Sequence, residues 1–330
     1  MTRRTLMLLV APIAFAVVLA SCAAAQKGGP GPTEPASSSH NGKIAFARTD
    51  SRGQSHIFVM EPDGTGVRKL ATKPALDNFP AWSADGKRLA FEASEGPNDF
   101  NIDIYVMNVD GSGLERITKE PTSHDPYDSM QDRMPSWSPD GKRIAFLRGR
   151  WKPFAKENTG GIYAMRADGT DLRQLTANPR DEYPAWSPDG KTIAFDRLTK
   201  GSGGIYTVNP DGSGPRQLTE PPEGFWDGEP SWSPDGTRLA FTRTSGKRPN
   251  RPDVFTMNAE DGTHVRKLTA KTEGAYSPDF SPDGKRIVFV GWEGGNKLAV
   301  MDADGTNVRR LTPDTKGIVD ELAPDWQPLP

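Results

Sequence analysis

The stretch from Glu182 to Thr219, EYPAWSPDGKTIAFDRLTKGSGGIYTVNPDGSGPRQLT, is a unit that the chain repeats six times, and this repeat constrains the fold more than any other feature. Four short runs of strand-forming residues sit in it, PAWS, TIAF, GIYTV and RQLT, and the tight turns SPDGK and PDGSG make two of the three connections. One such unit is a four-stranded antiparallel meander, too small to bury its own faces. Copies must therefore stack.

The first run, PxW or PxF, recurs at Trp82, Trp137, Trp186, Trp232, Phe280 and Trp326. The second begins at Ile44, Leu89, Ile144, Ile193, Leu239 and Ile287, the third at Ile57, Ile104, Ile162, Ile205, Val254 and Leu298, and the fourth ends at Leu70, Ile117, Leu175, Leu218, Leu268 and Leu311. The series opens on the second run and ends on the first, so the C-terminal Pro324-Asp325-Trp326 must complete the unit that Ile44 starts, closing a ring. The sequence predicts an all-β fold over 41–330, a six-bladed β-propeller of four-stranded antiparallel blades closed by the C-terminal PDW strand.

Proline has no ladder donor and tolerates a strand start or an edge, so the PxW strand belongs at the inner edge, along the central channel. The fourth strand carries Arg68, Lys69, Arg116, Arg173, Arg216, Arg266, Lys267, Arg309 and Arg310, long cations that shield an exposed outer edge. In SPDGK, proline sets φ for a type I turn and glycine takes the left-handed position that follows. The Asp-Gly-Thr and Asp-Gly-Ser connections work similarly, and the Asp-x-Asp-Gly at Asp302 to Gly305 reads as turn chemistry, since a calcium hand needs alternating ligands and a downstream glutamate.

Ahead of the repeats, Arg3 and Arg4 precede an uncharged apolar run from Leu6 to Ala20, shorter than the roughly 18 residues of a membrane-spanning helix. Residues 1–21 read as an export signal. The run ends in Leu19-Ala20-Ser21-Cys22, which resembles the bacterial lipobox, and Cys22 is the only cysteine. This places a lipid on Cys22 and the protein on the extracytoplasmic side of a bacterial membrane. Residues 22–40, rich in Gly, Pro, Ser and Ala, form a flexible tether. Cleavage removes Arg3 and Arg4 and moves the formal charge from -2 to -4, which argues against nucleic acid as a partner.

The repeated PxWSPDGKxIAF, followed by IYxM, DGT and LT, resembles the six-bladed propellers of the TolB family and the propellers that precede the catalytic domain of prolyl oligopeptidase-type enzymes. The resemblance spans Gly42 to Trp326. Its TolB side implies a periplasmic setting. Its peptidase side implies a nucleophilic serine in GxSxG, a motif this chain does not contain. Propeller-type pectate lyases are also similar, and the histidine cluster that this similarity implies is missing.

Antiparallel alternation gathers the short SPDGK and DGT turns on one face and the variable loops on the other. The variable face carries Tyr127, Arg150, Trp151, Lys152, Trp226 and Trp292, exposed aromatics beside charge that suit recognition or that pack down to order the loops. Three residues before each PxW proline stand Asp77, Asp132, Asp181, Asp227, Ala275 and Glu321. The five acids are expected to ring the channel mouth, either as ligand-binding groups or as acceptors that fix each inner strand. No cofactor, no metal and no catalytic residue is assigned. The expected function is a monomeric, lipid-anchored binding or scaffolding propeller for an envelope protein, peptide or glycan. The alternative is a hydrolase or lyase acting on envelope or extracellular sugars or peptides through the channel-mouth carboxylates.

Overall fold

The computed structural model describes residues 41–70, 76–94, 96, 100–119, 129–151, 159–246, 251–269, 274–291 and 296–329, without the side chain of Trp151. Every named element among them is a strand. The inner strands are Ile318–Trp326, Leu76–Trp82, Ser129–Trp137, Asp181–Trp186, Phe225–Trp232 and Ala275–Phe280, from the first blade to the sixth. Each pairs antiparallel with a second strand: Ile44–Asp50, Arg88–Ser94, Arg143–Trp151, Ile193–Leu198, Arg238–Ser245 or Arg286–Gly291. The third strands follow as Ser55–Met60, Asp103–Asn108, Thr159–Arg166, Gly203–Val208, Asp253–Asn258 and Lys297–Asp302. The outer strands are only two residues long, Arg68–Lys69, Glu115–Arg116, Arg173–Gln174, Arg216–Gln217, Arg266–Lys267 and Arg309–Arg310.

The first blade joins the two ends of the propeller, because the C-terminal strand pairs Trp326 with Ile44 and Glu321 with Arg48. The hydrophobic core is divided among the blade junctions. Each cluster takes residues from two neighbours, as in Ala45, Ile57 and Leu70 of the first blade against Trp82, Leu89 and Phe91 of the second. This is why the second and third runs are apolar on consecutive residues: both of their faces are covered. The second-strand phenylalanines Phe46, Phe91, Phe146, Phe195 and Phe241 are fully buried. Each lies near a third-strand aromatic, with centroids 5.7 Å apart for Phe241 and Phe255 and 5.9 Å for Phe91 and Tyr105.

The turn aspartates do what turn chemistry requires. Asp140 Oδ1 accepts the Ser138 hydroxyl at 2.6 Å and the Lys142 N–H at 3.0 Å, and Asp304 Oδ1 accepts the Thr306 N–H at 2.9 Å and its hydroxyl at 2.6 Å. The outer-edge cations add a latch that edge protection alone does not require. Arg68 donates to the Val109 carbonyl at 3.0 Å and Arg266 to the Asp304 carbonyl at 2.9 Å, each reaching a turn of the next blade.

Candidate functional site

The five acids of the expected ring are wholly buried, and an arginine accounts for four of them. Asp132 Oδ1 and Oδ2 accept Arg148 Nε and Nη2, both at 2.7 Å. The same fork joins Asp181 to Arg197 at 2.6 and 2.7 Å and Asp227 to Arg243 at 2.6 and 2.8 Å, while Glu321 Oε1 accepts Arg48 Nε at 2.9 Å and Nη2 at 2.5 Å. In each case the arginine stands directly across the ladder on the second strand. Asp77 faces Ala93 instead and lies 3.3 Å from His56 Nδ1 of the first blade, and Ala275 faces Gly291. The arginines stack on the aromatics beneath them, Arg197 Cζ lying 4.8 Å from the Tyr206 centroid and Arg48 Cζ 4.8 Å from that of Phe58. A carboxylate taken out of water needs a partner of this quality. Four of these acids therefore fasten the inner strand to the second strand, and Asp77 reaches the preceding blade instead. They do not line the channel cavity, which corrects the expectation that they converge at its mouth.

What faces the channel is set two residues later. Phe79, Met134, Tyr183, Glu229, Ser277 and Ala323, each just before the PxW proline, all adopt left-handed φ between 48° and 55°. The ladder register slips at each of these points, so every inner strand carries a bulge that re-aims its side chains. The conformation is disfavoured for a non-glycine residue before proline, and such strain is retained where the surroundings impose it. The six side chains line a cavity of about 550 Å³ in the channel, which runs up to the prolines of the SPDG turns. Phe79 meets Tyr183 edge-on inside it, with centroids 5.8 Å apart.

The residue between proline and tryptophan ties the cavity wall together. Asp325 accepts the Trp82 N–H at 2.6 Å, Asp279 that of Trp326 at 2.7 Å, and Ser136 Oγ that of Trp186 at 3.2 Å, always from one blade to the next. Burial pushes the Asp279 carboxyl up to about 6, and burial together with the neighbouring Asp279 charge pushes Asp325 well above the usual carboxylate range. Glu229 accepts the Thr242 hydroxyl at 2.6 Å and the Ser277 N–H at 2.7 Å, and burial raises it as well. Among the described residues no group of three or more His, Cys, Asp or Glu side chains is placed to hold a metal ion.

On the opposite face, Arg150 pairs across the ladder with Thr159 and Met130, and the backbone of Trp151 pairs with Ser129. Trp226 is half-buried and lies on two glycines: a Cβ on Gly246 would meet its ring at 2.3 Å and one on Gly203 at 2.9 Å. It packs down, one of the two roles weighed for it. Tyr127, Lys152, Trp292 and Cys22 lie outside the described residues. The channel-lining residues were missed by sequence reasoning, although a signal existed. The position holds six different side chains in six repeats immediately before a proline that never changes, although the position ahead of it varies as much.

Comparison with known proteins places this architecture. The family model of the TolB beta propeller domain matches residues 24–221 and 181–328. An uncharacterised protein of Agrobacterium fabrum is 27% identical over 115 residues, 33% of this chain and 38% of that protein. The Tol-Pal system protein TolB of Syntrophus aciditrophicus is 37% identical over 78 residues, 23% of this chain and 17% of that protein. The chain thus matches well under half the length of these curated relatives. The crystal structure of TolB from Acinetobacter baumannii superposes with a TM-score of 0.69 at 23% identity, over 87% of this chain and 67% of that one. With the family model matched across nearly all of the repeats, the chain belongs to the TolB beta propeller domain family.

Proposed function

We propose that the protein is a non-catalytic binding or scaffolding propeller, held by a lipid on Cys22 at the extracytoplasmic side of a bacterial membrane, and that its channel cavity takes a protein or peptide segment of the cell envelope. The observation that carries this reading is the ring of six left-handed residues, whose strain positions six unlike side chains around one cavity. The wall suits a peptide, because apolar rings and hydrogen-bonding groups reach the lumen together: Phe79 and Tyr183 stand beside serine, proline and carboxyl groups, while Trp82, Trp137 and Trp326 are packed between blades and nearly inaccessible. The relatives named as Tol-Pal system proteins support an envelope setting.

The test is capture of envelope proteins on the soluble propeller beginning at residue 41, followed by affinity measurements with the captured partner. Phe79→Ala and Glu229→Gln should each weaken binding, by about 2 kcal/mol for a true anchor, while Trp226→Ala on the opposite face leaves it unchanged. Binding that ignores the channel variants and is lost in Trp226→Ala would move the site to the variable loops.

A further inference from the structure

The position that opens or directly precedes each second strand holds Lys43, Arg88, Arg143, Thr192, Arg238 and Arg286. Five of the six are long cations, and two of them cover the PxW or PxF ring of the following blade. Arg88 Cζ lies 4.8 Å from the Trp137 centroid, and Arg238 Cζ lies 5.1 Å from that of Phe280. Thr192 is the exception. Its side chain ends at Cβ substituents and cannot cover Trp232, the ring that follows it.

A cavity of about 580 Å³ opens at this junction, between the fourth and fifth blades, and Thr192, Thr207 and Trp232 are among its walls. The Trp232 ring is held in place by its own Nε1, which donates to the Ala185 carbonyl at 3.0 Å. Asp189 and Asp235, from the SPDG turns of the two blades, and Glu260 add three carboxylates to the lining. The turn hydrogen bonds from Ser187 and Ser233 hold the Asp189 and Asp235 carboxyls below the usual range, so both are ionised at neutral pH. Each commits Oδ1 to its turn. One cation, Arg216, also lines the cavity, and its guanidinium is engaged by the Glu260 backbone carbonyl. Lys191 Nζ lies 3.6 Å from Asp189 Oδ2 on an exposed side chain, and among the residues that line the cavity three acids stand against one base, a lining that favours a positive ligand.

The geometry points to a second binding site, a slot between the fourth and fifth blades that takes a guanidinium group over Trp232, flanked by Asp189 and Asp235. Two sister junctions define the chemistry, since there the protein supplies a guanidinium over the ring from its own second strand, Arg88 on Trp137 and Arg238 on Phe280. A planar, delocalised cation stacks on an indole and bonds carboxylates at its edges, which a compact ammonium does less well. The guanidinium comes either from a small molecule or from an arginine side chain of a protein partner. The site is independent of the channel reading and stands if that reading fails.

The indole ¹H–¹⁵N signal of Trp232 in the soluble propeller reports on the slot directly. The probes are agmatine, a capped Gly-Arg-Gly peptide and the neutral capped Gly-Gln-Gly peptide. The expected result is a saturable shift confined to Trp232 with a guanidinium probe and absent with the glutamine peptide. A shift with agmatine identifies a small-molecule site, and a shift with the arginine peptide alone identifies a protein-arginine site. Thr192→Arg should fill the slot from within and weaken binding roughly tenfold or more. Thr192→Ser keeps the space and should bind as the parent does, so the inference remains testable if the arginine variant folds poorly. No Trp232 shift with either guanidinium probe, an equal shift with the glutamine peptide, or undiminished binding in a folded Thr192→Arg would overturn it.

Discussion

The backbone N–H of Trp82 donates to Asp325 Oδ2 at 2.6 Å, although the two residues stand 243 positions apart. The bond binds the second blade to a strand that the chain makes last, and the Trp82 indole repeats the connection by donating to the Asp325 carbonyl at 3.1 Å. On the other side of the same strand, Trp326 donates its N–H to Asp279 and its indole to the Gly42 carbonyl at 2.9 Å. The C-terminal segment therefore fastens the first blade to both neighbours.

Deleting Ala323 to Pro330 should accordingly open the propeller. It exposes the ladder edge from Ile44 and removes Trp326, which is 4% exposed. Loss of a buried tryptophan alone costs about 3 to 5 kcal/mol, against roughly 5 to 15 kcal/mol for a typical domain. The truncated protein should melt far below the parent or aggregate. Unchanged melting and solubility would refute the closing role of this strand.

The Asp181–Arg197 pair offers a sharper measurement. Replacing Arg197 by Met leaves Asp181, fully buried, without its counter-ion, and should cost about 3 kcal/mol. Replacing both, with Leu at 181 and Met at 197, should recover most of the loss, because the sixth blade does without a charge pair where Ala275 faces Gly291. A double-mutant cycle by urea denaturation checks this. A coupling energy near zero would show that the fork contributes nothing.

The repeat made the blades, the turns and the closing strand legible, since each rests on local chemistry such as proline at a strand start or glycine in a left-handed turn. The ring acids were harder to place because a bulge breaks the alternation of every inner strand. Register moves from Asn78 opposite Glu92 to Ala81 opposite Ala90, so one extra residue sits on the inner strand and changes which side chains face the lumen. Nothing in Phe79 or Tyr183 announces a left-handed φ, and the proline that follows argues against it on local sterics. Tertiary packing decides the matter. The arginines opposite the acids were visible, however: Arg48, Arg148, Arg197 and Arg243 all stand two residues after the second-strand phenylalanine, and Gly291 stands there in the blade that has Ala275 in place of an acid.

Anchoring is tested at Cys22. Changing it to Ala should release the protein from membranes or leave the signal uncleaved, and mass analysis of the parent should find more than one acyl chain, because a single chain binds only marginally. Membrane association that persists in the variant, with no lipid on the parent, would remove the anchor from the proposal.

The neighbouring carboxyls of Asp279 and Asp325 make stability depend on pH in a predictable direction. Asp279 is pushed up to about 6 by burial, above the roughly 3.9 of an unfolded chain. An acid raised in this way binds more protons when folded than when unfolded, so its contribution is most favourable below about pH 4, declines as pH rises toward 6, and stays low above that. Asp279→Asn removes the titration while keeping an acceptor for the Trp326 N–H, and the Ser231 hydroxyl, which now donates to Asp279 at 2.7 Å, can rotate to accept from the new amide. The variant should melt higher than the parent at pH 7.5 and close to it at pH 4. If Asn stabilises equally at both pH values, or destabilises at pH 7.5, the raised carboxyl is not the cause and the hydrogen bonds across the blade junction dominate instead.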